Sequence, residues 1–120
     1  MANPNIVNVT SIYGETALDA DVNNSAATLI TVASDKVVKV NSLVIANIDG
    51  TNDANISVDI YRSSVAYYIT KDVPVPAGST LVVISKDTSI YLQESDALRV
   101  TASATGDLSA VCSYEVLDDA

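Results

Sequence analysis

Oxygen-bearing side chains are concentrated in one short segment of this chain, the turn formed by residues 49–53 (Asp-Gly-Thr-Asn-Asp). Ca²⁺ binds roughly six to eight oxygen ligands, and Asp49 and Asp53 could supply two carboxylates from a single turn. The segment lacks the full spacing of an EF-hand loop. Asp49 and Asp53 are therefore calcium candidates, an ordinary turn is the favoured alternative, and we expect no cofactor.

Catalytic chemistry has little support in the residue types. The chain contains no histidine, the commonest general base, so Cys112 has no imidazole partner that could activate it. The four glycines are spread apart and form no phosphate-binding loop. Two carboxylates could pair for glycoside hydrolysis, but the candidates fall on predicted turns or outward strand positions, where solvated carboxylates are ordinary. These candidates are Asp49, Asp53, Asp59, Glu94 and Asp96. The sequence therefore predicts a non-enzymatic protein.

The six tyrosines supply all of the aromatic surface, because the chain has no Phe and no Trp. Tyr67 and Tyr68 are adjacent, so in a strand they point to opposite faces and one of them is expected to be exposed. Tyr61 falls on the polar side of an alternating pattern. Exposed tyrosines anchor interfaces and stack on sugars, whereas cross-strand packing is the alternative role. We take Tyr61, Tyr67 and Tyr68 as interface candidates.

The charge balance excludes several partners. The formal net charge is −9, and the six basic residues are scattered. A phosphate backbone or an anionic membrane surface would repel such a chain, so we expect neither nucleic acid nor membrane as a partner. No apolar run approaches the length of a membrane span. The single cysteine is expected in the core, and the absence of a signal-peptide pattern predicts synthesis in a cytoplasm.

The elements that position these residues are predicted to be strands. Val and Ile dominate the apolar content, and no convincing helical stripe is present. Turn signals every 8–12 residues are typical of a sandwich or jelly roll. We predict an all-β chain, one antiparallel β-sandwich or jelly-roll-like domain over residues 1–120 with about eight to ten short strands. The predicted strands are residues 5–13, 15–22, 27–33, 37–48, 56–61, 65–73, 80–85, 89–92, 97–104 and 108–117.

Several local features refine this prediction. Gly14 is expected to separate the first two strands, and the pattern of residues 37–48 places Val38, Val40 and Val44 on one side. Asp-Gly at residues 49–50 and Gly-Asp at residues 106–107 are read as hairpin turns. The prolines at 74 and 76 cannot donate to a sheet, so they mark an edge or a crossover, with Gly78 reversing the chain.

A series of strand-and-turn motifs lies between residues 40 and 115, a region that spans about two-thirds of the chain. They are residues 40–47 (VNSLVIAN), 49–51 (DGT), 58–60 (VDI), 75–81 (VPAGSTL), 90–92 (IYL), 98–102 (LRVTA) and 113–115 (SYE). In these motifs the chain resembles small virion proteins of tailed bacteriophages, notably those of marine cyanobacteria. Ser95 departs from the pattern, which would have Glu-Gly-Asp where this chain has Glu-Ser-Asp.

The resemblance implies a structural role. It indicates a capsid decoration, or cement, protein on the virion surface, commonly a homotrimer, with the major capsid protein as its partner. A neck or tail ring component is the alternative within this class, and a carbohydrate-binding adhesin module of a tail or fibre is the alternative outside it. Residues 1–8, with Ile6 and Val7, are expected to form an extended arm that adds to a neighbour's sheet.

Overall fold

Segments rich in Val, Ile and Leu form nine strands within residues 5–119, the part of the chain that the computed structural model describes. A single turn of 3₁₀ helix, Lys86–Thr88, follows the sixth strand. The strands are β1 Ser11–Asp19, β2 Ala27–Thr31, β3 Lys36–Asn47, β4 Ala54–Arg62, β5 Val65–Val75, β6 Thr80–Ile84, β7 Ile90–Leu92, β8 Ala97–Ala102 and β9 Leu108–Asp118.

The strands form two antiparallel sheets. In the first sheet the order is β1-β9-β3-β6, and β7 also pairs with β3; in the second sheet the order is β2-β8-β4-β5. All strand pairs are antiparallel. The prediction of an all-β sandwich is confirmed. Because β1, β2, β5, β6 and β7 each pair with only one strand, the exposed backbone of the sandwich belongs to these five strands.

The core lies between the sheets and is aliphatic. Every second residue of the central strands faces inward, as the pleat of a strand requires. Leu43 and Ile45 of β3 and Ile56 of β4 are completely buried. Leu98 and Val100 of β8 are also completely buried and belong to the same cluster. The expectation that Cys112 lies in the core is confirmed, since Leu108, Ala110, Cys112 and Val116 of β9 are buried members of the same cluster.

The N-terminal prediction of two strands divided by Gly14 is wrong. One strand, β1, runs from Ser11 to Asp19, and Gly14 lies within it opposite Glu115. Residues 5–8 form a turn, closed by a hydrogen bond from the Asn8 amide to the Asn5 carbonyl (2.9 Å). The first four residues of the predicted arm lie outside the described residues. Gly14 does not end the strand because β9 pairs with every residue of β1.

The predicted face assignment of β3 is correct only for its first half. A bulge between Val40 and Ser42 shifts the pairing with β9 by one residue. The inward positions therefore change from Val38 and Val40 to Leu43 and Ile45, while Val44 turns outward. A bulge inserts one unpaired residue and so reverses the alternation that follows it. Period-two patterning cannot locate that extra residue in a stretch that is apolar on both faces.

Two predicted hairpins are crossovers. β3 and β4 belong to different sheets, as do β8 and β9, so residues 49–50 and 106–107 connect the sheets. The true hairpin joins β4 to β5 through Ser63 and Ser64, whose φ angles are 53° and 64°. Two positive φ angles define a type I′ turn, which Ser accepts less readily than Asn or Gly. The Pro-Gly segment carries the chain from β5 to β6 in the other sheet, and Gly78 has a φ of 71°, both as predicted.

Candidate interaction surface

The β4–β5 hairpin brings two of the predicted tyrosines to one outward face. Tyr61 of β4 lies opposite Ala66, and Tyr68 lies opposite Asp59, two residues back along β4. Residues two apart on a strand share a face, so Tyr61 and Tyr68 are diagonal neighbours on the outside of the second sheet. We call this face the tyrosine surface; it consists of Tyr61, Tyr68, Lys71 and Arg99.

Both tyrosines of this surface carry a cation. The Arg99 guanidinium of β8 lies 3.9 Å from the centre of the Tyr61 ring. The Lys71 ammonium lies 4.6 Å from the centre of the Tyr68 ring. Such contacts stabilise an exposed cation by about 0.5–1 kcal/mol each. The tyrosine surface therefore presents ordered aromatic rings and positive charge on a chain that is otherwise strongly acidic.

Buried carboxylates fix the arginines at this end of the second sheet. Asp59 is buried and accepts a hydrogen bond from Arg99 Nε at 2.9 Å. Asp96 is buried and accepts two hydrogen bonds of 2.6 Å from Arg62, plus one of 2.7 Å from the Gln93 amide.

Burial alone would raise the pKa of the Asp96 carboxyl. The hydrogen bonds from Arg62 and the Gln93 amide outweigh that effect, and the pKa lies below its usual value. Asp59 and Asp96, named above as conceivable catalytic carboxylates, are both held by arginine side chains. Their oxygens serve to orient the guanidinium groups.

Tyr67 and Tyr68 are both exposed, at 56% and 50% of their surface, whereas one exposed ring was expected. Tyr68 projects outward. Tyr67 lies opposite Ile60, on the side that faces the other sheet. β5 is an edge strand, and the core does not extend over its start. Together with Ile60 and Arg62, Tyr67 lines a small cavity of about 250 Å³ at this end of the sandwich.

The candidates at the N-terminus, Ile6 and Val7, are aliphatic and precede β1. Ile6 and Val7 are exposed, at 44% and 84% of their surface. Asn5 holds their backbone in a turn, because its Oδ1 accepts a hydrogen bond from the Val7 amide at 3.0 Å. The structure therefore presents two apolar side chains on a short turn that precedes β1.

The two calcium candidates serve different turns. Oδ1 of Asp49 accepts hydrogen bonds from the Thr51 and Asn52 amides (2.8 and 3.3 Å), which caps its own turn. Asp53 accepts one from the Ala77 amide at 2.9 Å and so braces the next crossover. Among residues 5–119, no three His, Cys, Asp or Glu side chains are grouped so that they could hold a metal ion. Calcium binding stays a prediction.

Two buried or half-buried groups have raised pKa values. Burial raises the pKa of the Cys112 thiol to about 12, so the thiol is protonated at neutral pH. Burial, followed by a hydrogen bond to Glu15, raises the pKa of Tyr114 to about 12. The Tyr114 hydroxyl donates that bond to Glu15 Oε1 at 3.0 Å. Both groups are structural: one fills the core, and the other ties β9 to β1.

Arg99 and Lys71 were missed as members of the site. From the sequence they counted among scattered surface charges. The alternation of β8 did carry a signal for Arg99, since inward Leu98 and Val100 place it on the outer face. No comparable signal exists for Lys71, because the position of its side chain depends on a bulge between β4 and β5.

No family model matches the sequence, and no curated protein matches it significantly. Among solved structures, the fold is similar to a chain in the acid-stable capsid of Helicobacter pylori bacteriophage KHP30. The TM-score is 0.52 at 10% identity, over 93% of this chain and 91% of that chain.

Two further structures have lower TM-scores. A subunit of the disulfide-linked pili of Bacillus endospore appendages gives 0.48 at 15% identity, over 92% of this chain and 90% of that chain. A pentameric capsid protein isolated from metagenomic phage sequences gives 0.42 at 14% identity, over 83% of this chain and 59% of that chain. The similarity to the KHP30 capsid chain, at 10% identity, shows a shared β fold alone.

None of the residues that the structure describes forms a helix with the length and apolar character needed to cross a bilayer.

Proposed function

We propose that this protein is a non-enzymatic structural protein of a phage virion, a decoration protein that binds the outer shell of the major capsid protein and stabilises it. One observation carries the proposal. The fold matches, over nearly the whole of both chains, a chain of an acid-stable phage capsid. The virion motifs in the sequence point the same way. In this proposal the protein is made in the host cytoplasm and ends on the capsid surface, without nucleic acid or membrane as a partner.

The tyrosine surface is the face that we assign to the shell. Its rings are presented by an edge hairpin, and exposed aromatic and arginine side chains are the residues that dominate binding energy at interfaces. Three of the six basic residues, Arg62, Lys71 and Arg99, lie in this hairpin or beside it. A partner with acidic groups would meet the least repulsion here.

On the shell, three copies grouped as a homotrimer would allow each weak contact to be reinforced by its neighbours. Ile6 and Val7, exposed on the turn before β1, would contact an adjacent subunit. A position in a neck or tail ring is the alternative within the same class, and it would use the same surfaces on a different assembly.

The test is to delete the gene in the phage and add back purified protein. Particles without the protein should release DNA at a lower temperature and in low salt, and wild-type protein should restore them. A Tyr61→Ala/Tyr68→Ala variant should restore them poorly, whereas Tyr91→Ala, which changes an exposed tyrosine on the other sheet, should restore them fully. Image reconstruction should place the density on the outer shell. Equally robust particles with density at the tail would contradict the proposal.

A glycan-binding role is the second candidate, and the exposure of both Tyr67 and Tyr68 favours it. Tyrosine rings stack on sugar faces, and the cavity beside Tyr67 is open to solvent. A glycan array, with and without Ca²⁺, separates the two functions. Signal that is lost on Tyr67→Ala or Tyr68→Ala would support the adhesin, and a blank array would remove it.

A further inference from the structure

Of the edge strands within the described residues, β1 alone lacks the short length, bulge, lysine and proline that commonly protect a sheet edge, although Glu15 and Asp19 give it charge. It is nine residues long and pairs with β9 without a register shift. β2 and β6 are five residues long and each is interrupted by a bulge. β5 contains Lys71 and Pro74 and has two register shifts against β4. Short length, bulges, lysine and proline are the usual defences against strand addition, and β1 has none of them.

The free side of β1 is open. No backbone hydrogen bond joins β1 to any described strand except β9. Its residues are exposed on both faces of the sheet as far as Thr16. A row of unpaired amide and carbonyl groups in regular register is a template for another strand.

The sequence of β1 is complementary to itself. Ile12 and Leu18 are its two exposed aliphatic residues, at 57% and 70% of their surface. They lie three residues before and three residues after Glu15, on the same outward face. If two copies of β1 pair in antiparallel fashion about a two-fold axis at Glu15, each Ile12 lies opposite the Leu18 of the other copy. Aliphatic pairs directly across two strands stabilise a sheet.

We propose that a second copy of this chain adds to this edge, β1 against β1, so that the first sheets of the two copies become one continuous antiparallel sheet. The contact is isologous and closes after two copies. In this register Glu15 of one copy lies opposite Glu15 of the other. This is the one pair of like charges between the two strands, because Asp19 lies opposite Ser11. That repulsion keeps the dimer reversible. The inference is independent of the virion role, although on a shell such two-fold contacts would link neighbouring trimers.

The first test measures the dissociation constant of the purified protein by sedimentation. Wild type should show a monomer–dimer equilibrium. Leu18→Lys should weaken the dimer about tenfold or more, because it replaces an aliphatic pair with an edge lysine. Val82→Lys is the matched control. It introduces a lysine at an exposed valine (57%, against 70% for Leu18) on the same face, at the opposite edge of the same sheet, and should leave the constant unchanged. Glu15→Gln keeps an acceptor for Tyr114 and should strengthen the dimer roughly two- to fivefold.

The second test fixes the register. Glu15→Cys places two thiols directly opposite each other across the axis, at a separation that a disulfide can span. Ile12→Cys places them six residues apart along the strands, roughly 20 Å. Mild oxidation should therefore cross-link Glu15→Cys and leave Ile12→Cys monomeric, with buried Cys112 protected in both. A wild-type protein that stays monomeric at every concentration overturns the proposal. So does a dimer that is lost on Val82→Lys but survives Leu18→Lys.

Discussion

At the scale of single residues, the turn before β8 contains an unusual conformation. The Asp96 amide donates to the Gln93 carbonyl at 2.9 Å, which closes a four-residue turn, and Ser95 at its third position has a φ of 72°. This is the position where the virion motif would have glycine. The left-handed region costs an ordinary residue about 1–2 kcal/mol, because Cβ crowds the following carbonyl. This chain keeps the turn, with a residue that strains it.

Ser95→Gly should therefore stabilise the protein. The relief of strain exceeds the extra chain entropy of glycine, so we expect a net gain of about 0.5–1 kcal/mol in the free energy of unfolding, measured in urea. Ser89→Gly is the matched control, because Ser89 has a φ of −58° and no strain to relieve. That variant should lose roughly 0.5–1 kcal/mol. Equal losses in both variants would show that Ser95 is not strained.

At the scale of elements, the strands from β2 onward follow from the sequence and β1 does not. Clear alternation identified β4 and β9, since a half-buried strand must place apolar residues at every second position. Gly14 led to a wrong prediction of a strand end, because glycine often interrupts strands. In the structure Gly14 pairs with Glu115 of β9, and the strand continues. The bulge in β3 and the two crossovers depend on sheet packing, which local residue types do not encode.

The same reasoning applies to the candidate surface. Alternation predicted the outward position of Tyr61, and the adjacency of Tyr67 and Tyr68 predicted that one of them is exposed. The cations that lie over the rings were not, because they reach the tyrosines through cross-strand neighbours and a bulge. A sequence pattern gives the face of a residue, whereas the pairing of strands decides its neighbours.

Gly14 provides a prediction for β1 as an element. A Cβ added at Gly14 would meet only the Tyr114 carbonyl oxygen, at 3.9 Å, which is ordinary contact. Gly14→Thr should stabilise the strand by roughly 0.5–1 kcal/mol, because glycine weakens strand interiors and threonine favours them. Gly78→Thr is the control. Its φ of 71° demands glycine, so this variant should be less stable than wild type. Thermal unfolding measures both, and a destabilised Gly14→Thr would contradict the strand assignment.

At the scale of the whole molecule, the dominant property is excess negative charge. Fifteen acidic and six basic residues give a net charge of −9 in a body that measures 49 × 26 × 21 Å. The three ion pairs that the structure shows each remove one carboxylate from this excess: Lys36–Asp118, Arg62–Asp96 and Arg99–Asp59. The remaining carboxylates repel one another, which keeps the protein soluble and opposes the compact state.

Salt should therefore stabilise this protein. The screening length is about 30 Å at 0.01 M salt, longer than two of the three dimensions of the molecule, and about 3 Å at 1 M. Raising NaCl between these limits should increase the free energy of unfolding in urea by on the order of 1 kcal/mol. Salt removes the repulsion between distant carboxylates, whereas it screens the Arg–Asp pairs less because their carboxylates are buried.

Adjacent exposed residues of the 3₁₀ turn supply matched variants. Lys86→Gln changes the net charge from −9 to −10 and should steepen the response to salt, whereas Asp87→Asn changes it to −8 and should flatten it. If both variants respond as wild type does, the repulsion is local and not a property of the whole molecule.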